Sequence, residues 1–278
     1  MVEVQGVRVP TMMYGTAWKE ERTAPLTEAA LRAGFRAIDT ANQRRHYFEE
    51  AVGEAIRAGL DAGVVRRDEL FLQTKFTYAN GQDHRLPYDP KASVSRQVEQ
   101  SFASSLDHLG VDRIEAYLLH GPSTYPGLGK ADWEAWAAME ELQRSGATRL
   151  LGVSNVTIDQ LRELHEKASV RPAMVQNRTF TRPAADAAVR GFCSENGLAY
   201  EGFSLLTANR FLWVQPVVRA VMARTGMTAP QVVFRHALGR GIHVLTGTTS
   251  TEHMAQDLGA YAFDLEPDEV SALDALVA

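Results

Sequence analysis

The stretch FRAIDTANQRRHYFEEAVGEAI, residues 35–56, contains a short apolar strand, a polar loop and the start of a helix. The apolar run from Phe35 to Ile38 predicts the strand, and Asp39 follows at its C-terminal end. Glu49 and Glu50 mark the helix start, because acidic residues favour a helix N-terminus and the residues after them repeat apolar side chains at helical spacing. In a barrel of alternating strands and helices, catalytic residues lie in the loops that follow the strands. The stretch therefore predicts one strand–loop–helix unit with a candidate site in its loop.

The rest of the chain repeats this alternation. Strand candidates are residues 12–17, 35–40, 70–76, 114–121, 148–155, 173–179, 198–206 and 242–249. Helical patterns cover 24–33, 49–62, 90–109, 132–145, 157–168, 183–196 and 252–260, with a longer stretch at 216–240. We predict an α/β fold, a (β/α)8 TIM barrel with a short N-terminal β-hairpin in VEVQGVRVP (2–10). An open doubly wound sheet is the alternative, but no GxGxxG turn follows the first strand.

Length and composition limit the classes of protein that the chain can form. With 278 residues, 45% of them hydrophobic, and no linker-like segment, residues 1–278 are expected to form a single domain. A net charge of −5 without a basic cluster argues against binding to nucleic acid or to a membrane surface. Cys193 is the only cysteine, so no internal disulfide forms. The N-terminus lacks the pattern of a signal peptide and no apolar run is long enough to span a membrane, so we expect a cytoplasmic protein.

Polar residues follow almost every predicted strand. They are Gly15 with Thr16, Asp39, Lys75, His120, Ser154 with Asn155, Gln176 with Asn177, Ser204, and Thr248 with Thr249. One such residue usually marks only the return of the chain to water, whereas the set has a common chemistry. An aspartate keeps a lysine charged, the ammonium favours the phenolate of a nearby tyrosine, and a neutral histidine orients a carbonyl oxygen. Such a group protonates an oxygen while hydride adds to a carbonyl.

Eight motifs in sequence order resemble the aldo-keto reductases. They are IDTA (38–41), EEAVGEAI (49–56), TKF (74–76), YLLHGP (117–122), GVSN (152–155), VQN (175–177), GFSLL (202–206) and GTTSTEHMAQDL (247–258). The resemblance implies a nicotinamide dinucleotide extended across the mouth of a (β/α)8 barrel, with Asp39, Lys75 and His120 as three of four catalytic residues. It also implies a set of cofactor contacts, to which we add Gly15 and Thr16 at the end of the first strand. That set is Ser154, Asn155, Gln176, Phe203, Ser204, Leu205, Leu206, Gly247, Thr248, Thr249, His253 and Asp257.

The cofactor end departs from the pattern of this family. Members that bind NADPH tightly carry lysine, serine, arginine and asparagine where this chain has Gly247, Thr248, His253 and Asp257. Two full positive charges are therefore missing, and histidine is a weaker partner than arginine for a 2′-phosphate. Backbone amides at the start of the last predicted helix can still hold a phosphate. We expect NADPH as the cofactor, with NADH as the alternative, and only a modest preference between them.

The proton donor is displaced in the sequence. The loop between Asp39 and Glu49 is two residues longer than in the family, and counting back three residues from Glu49 gives His46 rather than Tyr47. Either the loop turns so that Tyr47 reaches the site, or His46 takes the donor position. A third interpretation has Tyr47 packed beneath the loop as a structural aromatic residue. The Asp39–Lys75 pair favours Tyr47, because such a pair acidifies a phenol.

The expected reaction is NAD(P)H-dependent reduction of a small-molecule aldehyde or ketone. Trp18, Tyr78 and Tyr125 follow predicted strands and are candidates for an apolar substrate wall. The displaced donor leaves two alternatives open: reduction of C=N or C=C bonds, or a non-redox dehydration or cyclisation on the same scaffold. A non-catalytic nicotinamide-binding subunit is a further alternative. We expect a monomer or weak homo-oligomer without a bound metal.

Overall fold

The computed structural model describes residues 1–179 and 186–277, and it contains a closed barrel of eight parallel strands. A two-stranded antiparallel hairpin, β1 (Val2–Val4) and β2 (Val7–Val9), precedes the barrel. The barrel strands are β3 (Met12–Gly15), β4 (Ala37–Asp39), β5 (Phe71–Phe76), β6 (Ile114–Leu119), β7 (Thr148–Ser154), β8 (Met174–Arg178), β9 (Ala199–Phe203) and β10 (Ile242–Thr246). They pair in chain order, and β10 pairs with β3 to close the barrel. The predicted TIM barrel with its N-terminal hairpin is confirmed.

Helices follow the strands along the chain. They are α1 (Thr23–Ala33), α2 (Glu49–Asp61), α3 (Val94–Leu109), α4 (Lys130–Arg144), α5 (Ile158–Lys167), α6 (Ala187–Asn196), α7 (Pro216–Thr225), α8 (Ala229–Gly239), α9 (Thr251–Leu258) and α10 (Pro267–Val277). Their buried faces pack on the outside of the strands, where Leu31, Phe102 and Trp136 are almost fully buried. In the described part of the chain, no helix is both long and apolar enough to cross a membrane.

Three helix predictions need correction. The stretch 216–240 is two helices, because Gly226 ends α7 in the left-handed conformation and Thr228 begins α8 with a capping box to Gln231. The helix predicted from residue 90 begins at Val94, since the Ser93 side chain caps it by accepting from the backbone of Arg96. A further helix, α10, follows α9 and was not predicted. The first residues of the helix predicted at 183–196 lie outside the described residues.

The hairpin closes one end of the barrel. Its residues Val4, Val7 and Val9 are buried in one cluster with apolar side chains from the barrel strands, such as Met13 and Phe71. The turn between β1 and β2 uses Gln5 and Gly6, both with positive φ, as a tight hairpin turn requires. Since the hairpin fills the N-terminal end, the C-terminal end of the strands is the open one. The polar residues predicted at the strand ends all lie there.

Candidate active site

A buried ion pair lies at the C-terminal ends of β4 and β5. The Lys75 ammonium is 2.6 Å from Asp39 Oδ1 and also donates to the Thr40 carbonyl at 2.9 Å. The lysine side chain is fully buried and Asp39 nearly so. Burial alone lowers the pKa of Lys75, but the attraction of Asp39 and Tyr47 outweighs it and raises that pKa. Lys75 is therefore held as an ammonium beneath the open end of the barrel.

Tyr47 lies directly above this pair. Its ring centroid is 5.3 Å from Lys75 Nζ and 5.9 Å from the centroid of the His120 ring. The longer loop is taken up by a turn in which the carbonyl of Gln43 accepts from the backbone amides of both His46 and Tyr47. This turn returns the phenol to the site. Of the two donor candidates, Tyr47 is the one that lines the main cavity.

The acidity of Tyr47 differs from the expectation. The lysine was expected to lower the phenol pKa, but burial has the larger effect and raises the pKa above 10.0. The Lys75 ammonium, through its charge and a hydrogen bond, offsets part of the rise, while Asp39 adds to it. The phenol is therefore fully protonated at neutral pH. Lys75 makes proton release less unfavourable without producing a standing phenolate.

His46 has a different environment. Its ring stacks on the exposed indole of Trp18, with centroids 3.9 Å apart, and its backbone carbonyl accepts from the Trp18 amide. Burial and the positive charge of Arg45 lower the pKa of His46. This contact joins the loop after β3 to the loop after β4. His46 is not among the described residues that line the cavity.

His120 directly follows β6 and carries a neutral imidazole. Burial, and then the positive charge of Lys75, lower its pKa to about 3. Nδ1 lies 2.6 Å from the Thr77 hydroxyl, which fixes one edge of the ring. The backbone carbonyl of His120 accepts from the side-chain amide of Asn155 at 2.8 Å. A neutral, oriented imidazole at the cavity wall can hydrogen-bond to a carbonyl oxygen.

One cavity of about 990 Å³ runs across the open end of the barrel from this group to the start of α9. Most of the predicted cofactor-binding residues line it, and Trp18 lies at its rim. These cofactor-binding predictions are Gly15, Ser154, Gln176, Phe203, Ser204, Leu205, Leu206, Gly247, Thr248, Thr249, His253 and Asp257. The volume lies at the upper end of the usual range for ligand pockets, which suits an extended ligand.

Strained backbone is concentrated around this cavity. Of the five non-glycine residues with positive φ in the described chain, Trp18, Glu20, Asn155 and Ser204 lie in loops after β3, β7 and β9. A non-glycine residue in this conformation costs about 1–3 kcal/mol and persists only where its surroundings enforce it. Asn155 and Ser204 are both residues for which the resemblance implies contacts to a cofactor. The strain therefore coincides with the predicted binding loops.

Besides His46 and the buried Lys75, four predicted site residues are not among the described residues that line the cavity. Thr16 is buried, and its hydroxyl and amide both donate to the Asp39 carbonyl. Asn155 donates to the His120 carbonyl and the Ser154 hydroxyl. Tyr78 packs edge-on against Phe76 and donates to Asp132, so it supports the loop after β6. Tyr125 is 80% exposed on that loop.

A lysine that was not predicted from the sequence lines the cavity beside Gly247. Lys19 is nearly buried, and its ammonium donates to the Gly247 carbonyl at 3.0 Å. A Cβ added to Gly247 would lie 3.4 Å from this nitrogen. Burial and the charge of Arg22 lower the pKa of Lys19 to about 8. Lys19 thus supplies a positive charge from another element, close to the position where Gly247 provides none.

The start of α9 has both groups that favour and groups that disfavour a bound phosphate. Ser250 caps the helix by accepting from the His253 amide, and His253 is exposed at the cavity rim. Asp257 is buried and accepts from the Thr246 hydroxyl at 2.7 Å, and burial raises its pKa to about 6. At neutral pH this carboxyl is mostly ionised, which disfavours a phosphate beside it.

Two further polar residues inside the barrel were also missed. Gln73 on β5 and Glu201 on β9 are fully buried, and Gln73 Nε2 lies 2.8 Å from Asp39 and 2.7 Å from Glu201. Both lie inside predicted strands, 70–76 and 198–206, and were not predicted as site residues. Their spacing was a usable signal, because Gln73 is two residues before Lys75 and therefore on the same face of β5. Glu201 is likewise two residues before Phe203.

Comparison with known proteins agrees with this architecture. The model of the aldo/keto reductase family matches residues 11–278. The chain is 32% identical over 270 residues to an aldo-keto reductase of Mycobacterium avium, covering 97% of this chain and 86% of that protein. It is 28% identical over 296 residues to the 7-acetyl-epi-neemfruitin B aldo-keto reductase of Melia azedarach, with coverage of 97% and 86%. A silkworm (Bombyx mori) aldo-keto reductase solved in complex with NADP has the same fold, with a TM-score of 0.82, 24% identity, and coverage of 99% and 92%.

Proposed function

Because the chain belongs to the aldo/keto reductase family, we propose that it is an NADPH-dependent reductase of aldehydes or ketones, with Tyr47 as the proton donor. The observation that carries this proposal is the convergence of four groups at one end of an extended cavity. Tyr47 and His120 line its wall, and the buried Asp39–Lys75 pair lies directly below the phenol. The opposite end of the cavity has the size and the polar rim that a dinucleotide needs.

The four groups divide the work of protonating a carbonyl oxygen. A bound reduced nicotinamide supplies a hydride to the carbonyl carbon. His120, neutral because its pKa is about 3, hydrogen-bonds to the carbonyl oxygen and positions it near the Tyr47 hydroxyl. The carbonyl π electrons move to oxygen, the phenol proton follows, and the Lys75 ammonium stabilises the phenolate that remains. Asp39 keeps Lys75 charged through this step.

The cavity residues also suit a nicotinamide cofactor. Ser154 and Gln176 offer hydroxyl and amide groups to a carboxamide, and the Phe203 ring offers a face for stacking. Ser204, Leu205 and Leu206 form the loop proposed to cover the pyrophosphate. Lys19 is proposed to supply positive charge at that end of the cavity. The negative charge of Asp257 disfavours a 2′-phosphate beside it, and the exposed His253 is a weak partner for one. We therefore propose only a modest preference for NADPH over NADH.

The substrate end is apolar and aromatic. Trp18 is 70% exposed at the rim, and the Tyr47 ring lines the same cavity. Apolar walls with few hydrogen-bonding groups discriminate between substrates by size rather than by polar contacts. We therefore propose apolar or aromatic aldehydes and ketones as the substrate class. We further propose that the chain forms a single domain and does not act on nucleic acid.

Cofactor binding is tested by tryptophan fluorescence. Trp18 and Trp213 line the cavity, whereas Trp136 is buried between α4 and the barrel. Titration with NADPH is expected to quench the emission, and the Trp18→Phe and Trp213→Phe variants should each lose part of the quenching. Trp136→Phe is the matched control and should keep the full response. Calorimetry that detects no binding of NADPH or NADH to the folded protein would refute the proposal.

A further inference from the structure

A second buried carboxyl group lies below the active-site pair. Glu201 is fully buried on β9 and pairs in register with Gln176 of β8 and His243 of β10. Its Oε2 accepts from Gln73 Nε2 at 2.7 Å and from Gln176 Nε2 at 2.9 Å. The same two amide nitrogens donate to Asp39 Oδ1, at 2.8 and 2.9 Å. Two glutamine side chains therefore link Glu201 to Asp39.

This arrangement determines the orientation of Gln176. A glutamine amide nitrogen has two hydrogens, and those of Gln176 are used by Asp39 and Glu201. The side-chain carbonyl oxygen is left as the group of Gln176 that can accept from a ligand in the cavity. A cofactor carboxamide presents an N–H group to such an acceptor. From inside the barrel, Glu201 thus helps to determine which atom of the Gln176 side chain is available to a ligand.

Asp39, Lys75, Gln73, Gln176 and Glu201 form one hydrogen-bonded network. This network has a net negative charge when both of its carboxyl groups are ionised. Lys75 is its one cation among the described residues, and it is hydrogen-bonded to Asp39 rather than to Glu201. Glu201 Oε1 is buried and, within the described chain, has no hydrogen-bond partner. A buried carboxylate oxygen without a donor is unfavourable, whereas a neutral carboxylic acid in the same position is tolerated. The geometry favours one proton on the pair, held by Glu201.

We propose that Glu201 is a positioning residue of the reductase, which works as a neutral carboxylic acid and holds Gln176 and Asp39 in their active arrangement. This inference rests on the proposed function, since it concerns the same site. It is independent of the identity of the carbonyl substrate.

The titratable groups around Glu201 have pKa values far from that of Glu201, so they do not change charge in the same pH range. Burial, and then the negative charge of Asp39, raise the pKa of Glu201 from 4.5 to about 7, against the opposing effects of the two amides and Lys75. Burial lowers the pKa of His243 on β10 to about 4, and His120 has a pKa of about 3, so both are neutral near pH 7. Tyr47 and Lys75 have raised pKa values and stay protonated in this range.

Ionisation of Glu201 is expected to slow reduction. A second negative charge in the network opposes the charge that develops on Tyr47 when its proton leaves. We therefore expect kcat to fall by about three- to tenfold between pH 6 and pH 8 at saturating NADPH and substrate. Saturation with cofactor suppresses the effects of Lys19 and Asp257, which titrate at the other end of the cavity.

The pH profile of Glu201→Gln tests the proposal. Glutamine has nearly the same shape, can still accept from both amides and cannot ionise. We expect its kcat at pH 6 to lie within about twofold of the wild-type value, with a fall of less than about 1.5-fold up to pH 8. Glu115→Gln is the matched control, because Glu115 is a buried carboxylate at the other end of β6, bonded to Arg67. It should keep the wild-type fall.

Two further measurements keep the proposal testable if Glu201→Gln folds poorly. Gln73→Met removes a hydrogen bond that lowers the pKa of Glu201, so the fall in kcat should move to higher pH. Between about pH 5 and pH 7 the Tm of the wild type should also fall relative to that of Glu201→Gln, because the folded wild type holds a proton that the unfolded chain releases. Asp257, with a pKa of about 6, and the buried histidines titrate in both proteins and cancel in this difference. An active wild-type enzyme with the same pH profile in Glu201→Gln and Gln73→Met would overturn the role of Glu201. A wild-type protein without reductase activity, but with the Tm dependence, would instead overturn the proposed function.

Discussion

Tyr47 and His46 are neighbours in the chain, but their side chains face different surroundings. Tyr47 lies over the Lys75 ammonium at the cavity wall, whereas His46 stacks on Trp18. Tyr47→Phe removes only the hydroxyl and is expected to lower kcat by about 100-fold or more, since general acid catalysis contributes about 10²–10⁴-fold. The affinity for NADPH, measured by fluorescence titration, should change little.

His46→Ala serves as the comparison for this variant. Its loss of stacking on Trp18 should raise KM more than it lowers kcat, because the loop after β3 is then less well held. The opposite ranking, with His46→Ala the more damaging to kcat, would assign the proton to the histidine. Full activity in both variants would leave water or His120 as the proton source.

We expect the preference between NADPH and NADH to depend on a few charges near the start of α9. His253→Arg adds a guanidinium at the exposed cavity rim, and one charge-assisted hydrogen bond to a phosphate contributes about 1.5–3 kcal/mol. We expect NADPH to bind about tenfold more tightly and NADH to bind as before. Thr251→Arg, in the same helical turn but away from the described cavity lining, is the control for charge alone. Equal affinities for both cofactors in wild type and His253→Arg would show that α9 does not meet the adenosine end.

The positions of site residues could be predicted where a side chain follows directly from its strand, whereas their roles stay predictions. Asp39 and Lys75 lie at the C-terminal ends of β4 and β5 and His120 directly follows β6, so the alternation along each strand indicates the direction in which they point. Lys19 could not be placed in this way, because it lies in a loop whose path depends on positive φ at Trp18 and Glu20. Tyr78 and Tyr125 also lie in loops, and their contacts depend on the conformation of the segment after β6.

At the scale of elements, the close contact between α2 and α3 fixes the helix that follows the donor loop, residues 40–48. Gly53 of α2 lies against the backbone of α3, and an added Cβ would come 1.9 Å from the His108 carbonyl oxygen. Gly53→Ala must therefore push the two helices apart. We expect it to lower the free energy of unfolding by more than about 2 kcal/mol, since overpacking a core costs about 1–3 kcal/mol. Denaturant unfolding of the variant measures this loss.

Gly191 in α6 is the matched control. It is also a helical glycine, but nothing lies within 4 Å of an added Cβ. Gly191→Ala should raise stability by about 0.5–1 kcal/mol through helix propensity. Similar effects in the two variants would show that α2 and α3 are not in close contact at Gly53.

Element boundaries could be predicted less well than element types. The helical pattern at 216–240 is continuous in hydrophobicity, and only Gly226 and Thr228 signal the break between α7 and α8.

The conformation of the donor loop, residues 40–48, could not be predicted either. Its two extra residues leave the helix start unchanged, and the position of Tyr47 depends on a turn closed by the Gln43 carbonyl. Such a turn is set by tertiary contacts, including the bond from Gln43 to the Gly81 carbonyl.

At the scale of the whole molecule, the two ends of the barrel have different roles. The hairpin fills the N-terminal end with Val4, Val7 and Val9, while the C-terminal end carries the cavity and its polar network. The sequence predicted the site at the C-terminal end, because eight strand–helix pairs with polar C-terminal strand ends allow few other architectures. That the hairpin fills the N-terminal end was not predicted. The network of Gln73, Gln176 and Glu201 was not foreseen as a unit, since it joins strands that are far apart in the chain and meet only when the barrel closes.

The central claim is that hydride passes to a carbonyl carbon at the cavity end formed by Tyr47 and His120. The most direct measurement uses NADPH carrying deuterium at both C4 positions, incubated with a panel of apolar and aromatic aldehydes and ketones, followed by mass spectrometry of the alcohols. We predict one deuterium on the carbinol carbon of each product with the wild-type enzyme, and at least about 100-fold less product with Tyr47→Phe. Protein that binds the deuterated cofactor but transfers deuterium to none of these carbonyl compounds would contradict the account.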